Sequence, residues 1–312
     1  MESVTYQDYL NEKAIASHFI ELGNLEEALK HFEKAYQTAY GKTDLDLMVE
    51  LAFIYDECEK QQKAFRLFHQ MIEVDKTFAT SYYGLATLYD NNKQYKEAVF
   101  YYQKAIYYDE AYEAAHFFLA NVYEELGETE KAIYHYEKTI ELEPDYFYAY
   151  LNIGCLYETS DQNLKAYHYF YKAYQLDETD YMALFNLGVV CRKLGQYKEA
   201  IRYYKRSIQV NPIHAYGYLN LAVLYKDIYE DYQKSINIYT VGISKVPDVS
   251  VLYYNRACCY VLTNCLDEAM TDLERSLTLS PSLLDYLISD EELAPLKERA
   301  DYQTRLIEKI ST

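Results

Sequence analysis

The chain has 312 residues, of which 49 are acidic and 30 basic, for a formal net charge of −19. So acidic a chain is a poor match for sequence-independent nucleic-acid binding or for anionic membrane surfaces, both of which are contacted through Lys and Arg. Gly (9) and Pro (5) fall far below their usual combined share of about 12%, which favours long helices over a many-turned β protein. The first eight residues lack the basic region and apolar run of a signal peptide, and no stretch approaches the ~18 consecutive apolar residues of a membrane span. The six cysteines, Cys58, Cys155, Cys191, Cys258, Cys259 and Cys265, form no C-x-x-C pair and no zinc-ligand spacing with histidine. They are expected to be small buried residues of a reduced, cytoplasmic protein.

Length alone suggests two domains, but self-similarity overrides length. Tyr-Lys-Glu-Ala occurs at 95–98 and again at 197–200, a separation of 102, or three periods of 34. Aligned on that period the chain divides into an N-terminal extension (1–8), eight units (9–44, 45–78, 79–112, 113–146, 147–180, 181–214, 215–249 and 250–283) and C-terminal capping helices (284–312). Position 8 of every unit is small, from Ala16 through Gly154 and Gly188 to Ala257, and so is position 20, from Ala28 to Ala269. Position 11 is aromatic in seven units and Cys191 in the sixth; position 24 is aromatic in seven and Leu273 in the eighth. Pro144, Pro212, Pro247 and Pro281 share position 32.

Apolar residues at positions 4, 7, 8 and 11, and again at 17, 20, 21 and 24, recur at helical spacing. Each unit therefore predicts two amphipathic helices. Gly23, Gly127, Gly195 and Asn264 at position 15 tolerate the left-handed conformation that ends the first helix. Proline at position 32 stops the second, having no N–H to donate. Small residues at 8 and 20 let the two backbones approach, and the rings at 11 and 24 fill space toward the next unit. A single hairpin cannot bury its apolar face alone, but a stack can.

This pattern resembles the tetratricopeptide repeat (TPR), with Tyr-Leu-Asn-Leu-Ala-Val-Leu-Tyr at 218–225 and Phe-Asn-Leu-Gly-Val-Val-Cys at 185–191 as its clearest stretches. The first unit departs from it with Glu12 at position 4, and the seventh with one extra residue near Ile228–Glu230. The resemblance implies an all-α fold: a right-handed α-solenoid superhelix of antiparallel helix pairs, continuous over the repeats, with first helices lining a concave groove. At the C-terminus, Leu283–Ile288 begins like another first helix, and Ser289-Asp290-Glu291-Glu292 reads as a capping box with Ile288 and Leu293 as a hydrophobic staple. Pro295 shortens or restarts that helix, and 296–310 is predicted helical and polar-ended.

No phosphate-binding loop, dinucleotide fingerprint, H-E-x-x-H or G-x-S-x-G is present. The seven histidines show no ligand pairing, although His135 and His168 fall at nearby positions of adjacent second helices. The expectation is a non-enzyme without metal or cofactor. If family geometry holds, positions 2, 5, 6, 9, 12 and 13 face the groove. Position 6 reads Asn152, Asn186, Asn220 and Asn255 in the last four units, and a side-chain amide can both donate to and accept from a peptide backbone. This ladder is similar to the inner surface of the TPR superhelix of O-GlcNAc transferases, which holds extended polypeptide. Tyr83, Phe117, Phe185 and Tyr254 at position 5 supply aromatic anchors, the last three expected to be exposed, and Asn121 lies at position 9.

Positions 12 and 13 are acidic in units two to five, including Glu124 and Glu158, and basic in units six and seven, with Arg192, Lys193 and Lys226. Residues 181–249 carry nine basic and five acidic side chains, a net of +4. A bound segment would then set basic residues against units two to five and an acidic group near Arg192 and Lys226. A carboxylate clamp of the chaperone-cofactor kind is incomplete: Leu219 and Val223 stand where Lys and Asn are required. The sequence thus points to a protein–protein interaction scaffold that holds a partner protein or extended peptide in its groove, with no nucleic acid and no membrane insertion. A structural assembly subunit and a peptide-sensing receptor are the alternatives; oligomeric state is not legible.

Overall fold

The computed structural model describes residues 6–308, so residues 1–5 of the expected extension and 309–312 of the expected cap lie outside it. The described residues are helical throughout, with no strand. They form α1 (Tyr6–Glu21), α2 (Leu25–Tyr36), α3 (Leu45–Glu57), α4 (Gln61–Val74), α5 (Ala79–Asn91), α6 (Tyr95–Tyr108), α7 (Glu113–Glu125) and α8 (Thr129–Leu142). Then come α9 (Phe147–Thr159), α10 (Asn163–Leu176), α11 (Tyr181–Lys193), α12 (Tyr197–Val210), α13 (Ala215–Asp227), α14 (Tyr232–Lys245), α15 (Ser250–Leu262) and α16 (Leu266–Leu279). Odd helices pack on the even helices that follow them, the hairpins of an α-solenoid. The contacts gather into two compact units: the first holds the first four repeats and ends at Ala149, and the second begins at Tyr150, in the first turn of α9, and holds the rest.

Three local devices build each hairpin. The turn between its helices contains one residue with positive φ. Gly23, Gly127, Gly195 and Asn264 take that role as the sequence predicts, and Glu59, Lys93, Asp161 and Glu230 take it in the other four turns, where the sequence gives no glycine signal. Even helices after α2 end on an extended residue. Before Pro144, Pro212 and Pro247 this is Glu143, Asn211 and Val246, as the residue before a proline must be. Where proline is absent, Asp75, Asp109 and Asp177 do the same work. Their carboxylates accept from the backbone N–H two residues on, at 2.8, 3.0 and 2.8 Å, and so replace the helix with an Asx turn. Finally, Asn24, Asp44, Asp180 and Asp231 accept a hydrogen bond from the N–H three residues on and cap α2, α3, α11 and α14.

Between paired helices the position-24 ring is lodged against small residues of the preceding helix. Phe32, Phe68, Tyr102, Tyr136, Phe170, Tyr204 and Tyr239 are all essentially inaccessible. A Cβ on Gly154 would stand 2.5 Å from the Phe170 ring, and one on Gly188 would stand 2.6 Å from Tyr204. Burying each ring contributes on the order of 1.5–3 kcal/mol. Lysines close the outer edge of the position-11 rings: Lys63 over Tyr55, Lys131 over Tyr123, Lys165 over Tyr157 and Lys234 over Tyr225, at 4.2–5.0 Å.

The two ends differ from expectation. Helix α1 starts at Tyr6, inside the expected extension, and Tyr6 and Tyr9 pack on Tyr40. At the C-terminus α17 (Leu284–Ser289) is followed by a tight turn in which Asp290, not Ser289, caps by accepting from Glu292 N–H at 2.9 Å. Ile288 is exposed while Leu293 is buried, so the expected staple does not form. The helix expected over 296–310 is reduced to α18 (Ala294–Lys297) and a π-helical turn at Gln303–Glu308. Leu287, Leu293, Leu296 and Leu306 nonetheless bury completely in one cluster with Leu273 and Leu277.

His116 on α7 and His135 on α8 face each other with Nδ1 atoms 2.9 Å apart, and His135 stacks on Tyr123. One Nδ1 must donate and the other accept, so the two rings are not both protonated. Burial lowers both imidazoles, His135 to about 4.

Three outcomes follow. Gly84→Ala would place its Cβ 2.1 Å from the buried Phe68 ring and should cost about 1–3 kcal/mol in urea denaturation. Lys93→Gly should stabilise by about 0.5–1 kcal/mol, relief of left-handed strain exceeding the added chain entropy. Because the unfolded state binds protons that His135 refuses, its contribution is complete above the ordinary imidazole value of 6.5 and shrinks as pH falls toward 4. The urea midpoint of His135→Phe should therefore fall less steeply than wild type across that window.

Candidate peptide-binding surface

Each odd helix presents positions 5, 6, 9 and 12 at helical spacing. In the first unit, Tyr83 on α5 is part-exposed, its ring 5.0 Å from Tyr112, 5.9 Å from Tyr102 and 6.1 Å from Phe118. Phe117 on α7 is not exposed as expected. It is buried against Tyr146 and Tyr136, because at this position two rings close over it. Asn121 and Glu124 both serve the buried Tyr136, whose hydroxyl donates to them at 2.5 and 3.0 Å. Asp90 similarly accepts from Tyr102 at 3.4 Å, and burial raises its carboxyl above the ordinary range. Position 12 thus supplies the acceptor that a buried tyrosine requires, a structural role the sequence reading misses. Its signal is a carboxylate twelve residues ahead of a position-24 tyrosine.

The second unit holds the whole asparagine row. Asn152 on α9, Asn186 on α11, Asn220 on α13 and Asn255 on α15 are all part-exposed. Asn220 and Asn255 donate one turn back, to the carbonyls of Tyr216 (3.0 Å) and Val251 (2.8 Å). Asn186 Nδ2 lies 3.9 Å from the Cys155 sulfur, a weak acceptor. Phe185 is half-buried, its ring 4.8 Å from His214 and 5.8 Å from Tyr204. Tyr254 is buried, contrary to expectation, because the C-terminal segment folds over it: Tyr286 lies against the ring and the hydroxyl donates to Asp290.

The same segment changes the charge pattern. Lys226 donates to both carboxylate oxygens of Glu292, at 2.6 and 2.9 Å. Burial opposes its charge, yet Glu292 holds the ammonium above its ordinary value. Lys193 is paired with Glu158 at 2.7 Å and Asp161 at 3.4 Å. Neither lysine is the open cation that the sequence expects. Arg192 lies against the Tyr204 hydroxyl, with its Nε buried and unpaired.

His135 meets His116 in place of the His168 suggested by the sequence. Cys191, Cys258 and Cys259 are buried, and burial pushes the thiols of Cys191 and Cys258 up to about 11 and about 12. Among the described residues no group of three or more His, Cys, Asp or Glu converges as metal ligands, and no helix is long and apolar enough to cross a membrane.

Tetratricopeptide repeat families match residues 79–112, 147–180, 181–214 and 251–283, and a TPR repeat family matches 121–160, together more than half of the chain. No curated protein matches the sequence. Among solved structures, PilF of Pseudomonas aeruginosa is similar at 20% identity with a TM-score of 0.55, covering 65% of this chain and 91% of that one. The Cut9–Hcn1 hetero-tetramer of the APC/C gives 20% identity and 0.54, covering 88% and 52%. YrrB, described as a TPR protein with an unusual peptide-binding site, gives 22% and 0.51, covering 60% and 95%. These likenesses are likenesses of fold. The matched repeats, laid over helix pairs with small residues under buried rings, make this chain a member of the tetratricopeptide repeat family.

Proposed function

We propose that the chain is a non-enzymatic interaction scaffold whose second unit holds an extended segment of a partner protein along the asparagine row. The observation that carries this reading is the equivalent placement of Asn152, Asn186, Asn220 and Asn255 on α9, α11, α13 and α15, each part-exposed. The bonds of Asn220 and Asn255 reach carbonyls already engaged in the helix ladder, and that of Asn186 reaches only sulfur. Exchanging them for a peptide backbone therefore costs little, while each amide offers a donor and an acceptor to any sequence. Phe185 supplies an apolar contact beside the row. With Lys193 and Lys226 paired internally, an acidic side chain of the partner would fall to Arg192.

The test is capture from native lysate with wild type and with a variant carrying Asn→Ala at 152, 186, 220 and 255, circular dichroism confirming that both fold. The variant should lose about tenfold or more in affinity for the captured partner, about 1.4 kcal/mol or more. Equal capture by both proteins would remove the asparagine row from the interface.

A further inference from the structure

Within the second unit, α12 and α14 run side by side over α13 and leave a groove of about 270 Å³. Tyr218, nearly inaccessible, forms its floor; Ile208 of α12 and Ile238 and Val241 of α14 form its walls, with Val241 half exposed. Gly242 permits this seating, since a Cβ there would come within 2.9 Å of Tyr218. Lys205 and Lys234 stand at the rim, and neither has a carboxylate partner among the described residues; Lys234 lies over Tyr225.

Other repeats show what is missing here. Lys138, Arg206 and Arg275 each stand six residues ahead of a proline (Pro144, Pro212, Pro281), and Val241 stands at that same place ahead of Pro247. Arg206 lies over the Tyr174 ring at 5.7 Å and donates to its hydroxyl at 3.1 Å, and Arg275 lies over Tyr253 at 6.0 Å. A long cationic side chain thus covers aromatic surface in those repeats. The corresponding groove between α6 and α8, which contains Lys138, is lined by Glu110, His116 and Glu141 and is polar. Valine shortens the cover, leaving an open apolar slot with cations at its rim, in a stretch of net charge +4 within a chain of −19.

We infer that the groove between α12 and α14 is a second docking site, for a short acidic segment of a partner protein carrying branched apolar side chains. The apolar side chains enter between Ile208, Ile238 and Val241, and flanking carboxylates meet Lys205 and Lys234. Its walls are built by even helices, and although Tyr218 of its floor lies on α13, none of the asparagines of the row lines it.

The probe is a short fluorescein-labelled peptide with two Leu one helical turn apart, flanked by Glu, titrated by fluorescence anisotropy. Wild type should bind it saturably and should not bind a matched peptide flanked by Lys. Val241→Arg, which installs the residue type found in the neighbouring repeats and should fold, is expected to weaken binding about tenfold or more. The pair Lys205→Gln and Lys234→Gln should also weaken it and flatten its salt dependence. The four-asparagine variant should bind the probe as wild type does, which separates this site from the one proposed above. Absence of saturable binding to wild type, or equal binding by Val241→Arg, overturns the inference. Sedimentation showing self-association that Val241→Arg abolishes would assign the groove to a second copy of the chain and overturn it equally.

Discussion

The contact on which everything else rests is a large apolar side chain of each even helix, an aromatic ring in all but α16, set into a notch of small residues on the odd helix before it. It fixes the spacing of the pair and hence the place of every other side chain. The notch must be small because the ring atoms come within about 2.6 Å of where a side chain would begin, well inside van der Waals contact, as at Gly154 and Gly188. Where the small residue that faces the notch from the even helix is polar, its group is satisfied locally: Ser235 of α14 donates to the Ala222 carbonyl of α13 at 2.9 Å. Dense packing of this kind tolerates little change in volume.

Choosing tyrosine over phenylalanine for that ring adds a polar demand. A buried hydroxyl without a partner is costly, and Asp90, Asn121 and Glu124 meet the demand in the first unit. Carboxylates that resemble a recognition stripe in sequence are thus partly acceptors for the core. In the second unit the same place carries Arg192 and Lys226, one against Tyr204 and the other claimed by Glu292 of the C-terminal segment. That segment covers Tyr254 as well. The cap therefore consumes residues that the repeat pattern alone would offer to a ligand.

What remains for recognition in the second unit is polar on one set of helices and apolar on the other. The odd helices offer a row of amides, of which Asn186, Asn220 and Asn255 hold bonds that are weak or redundant. The even helices offer the slot left by Val241. Repetition makes both surfaces readable, since each site stands out as a departure from, or a run within, an otherwise regular position.

The sequence by itself determined the helix pairs, the period, the small notch residues and the buried rings, because each is a local or nearest-neighbour requirement repeated eight times. It also placed the left-handed turn residues where glycine or asparagine marks them. It could not mark Glu59, Lys93, Asp161 and Glu230, because only the closing of the hairpin forces those residues to positive φ. Exposure of the position-5 rings was beyond it for a similar reason. Phe117 is buried by Tyr146, which arrives from the far end of its repeat, and Tyr254 by the C-terminal segment, which lies outside the repeats. Pairing of Lys193 and Lys226 was hidden too, since Glu158 and Glu292 lie 35 and 66 residues away along the chain. Local periodicity is written in adjacent residues, whereas burial and charge pairing depend on which distant side chain arrives, and only the tertiary structure decided that.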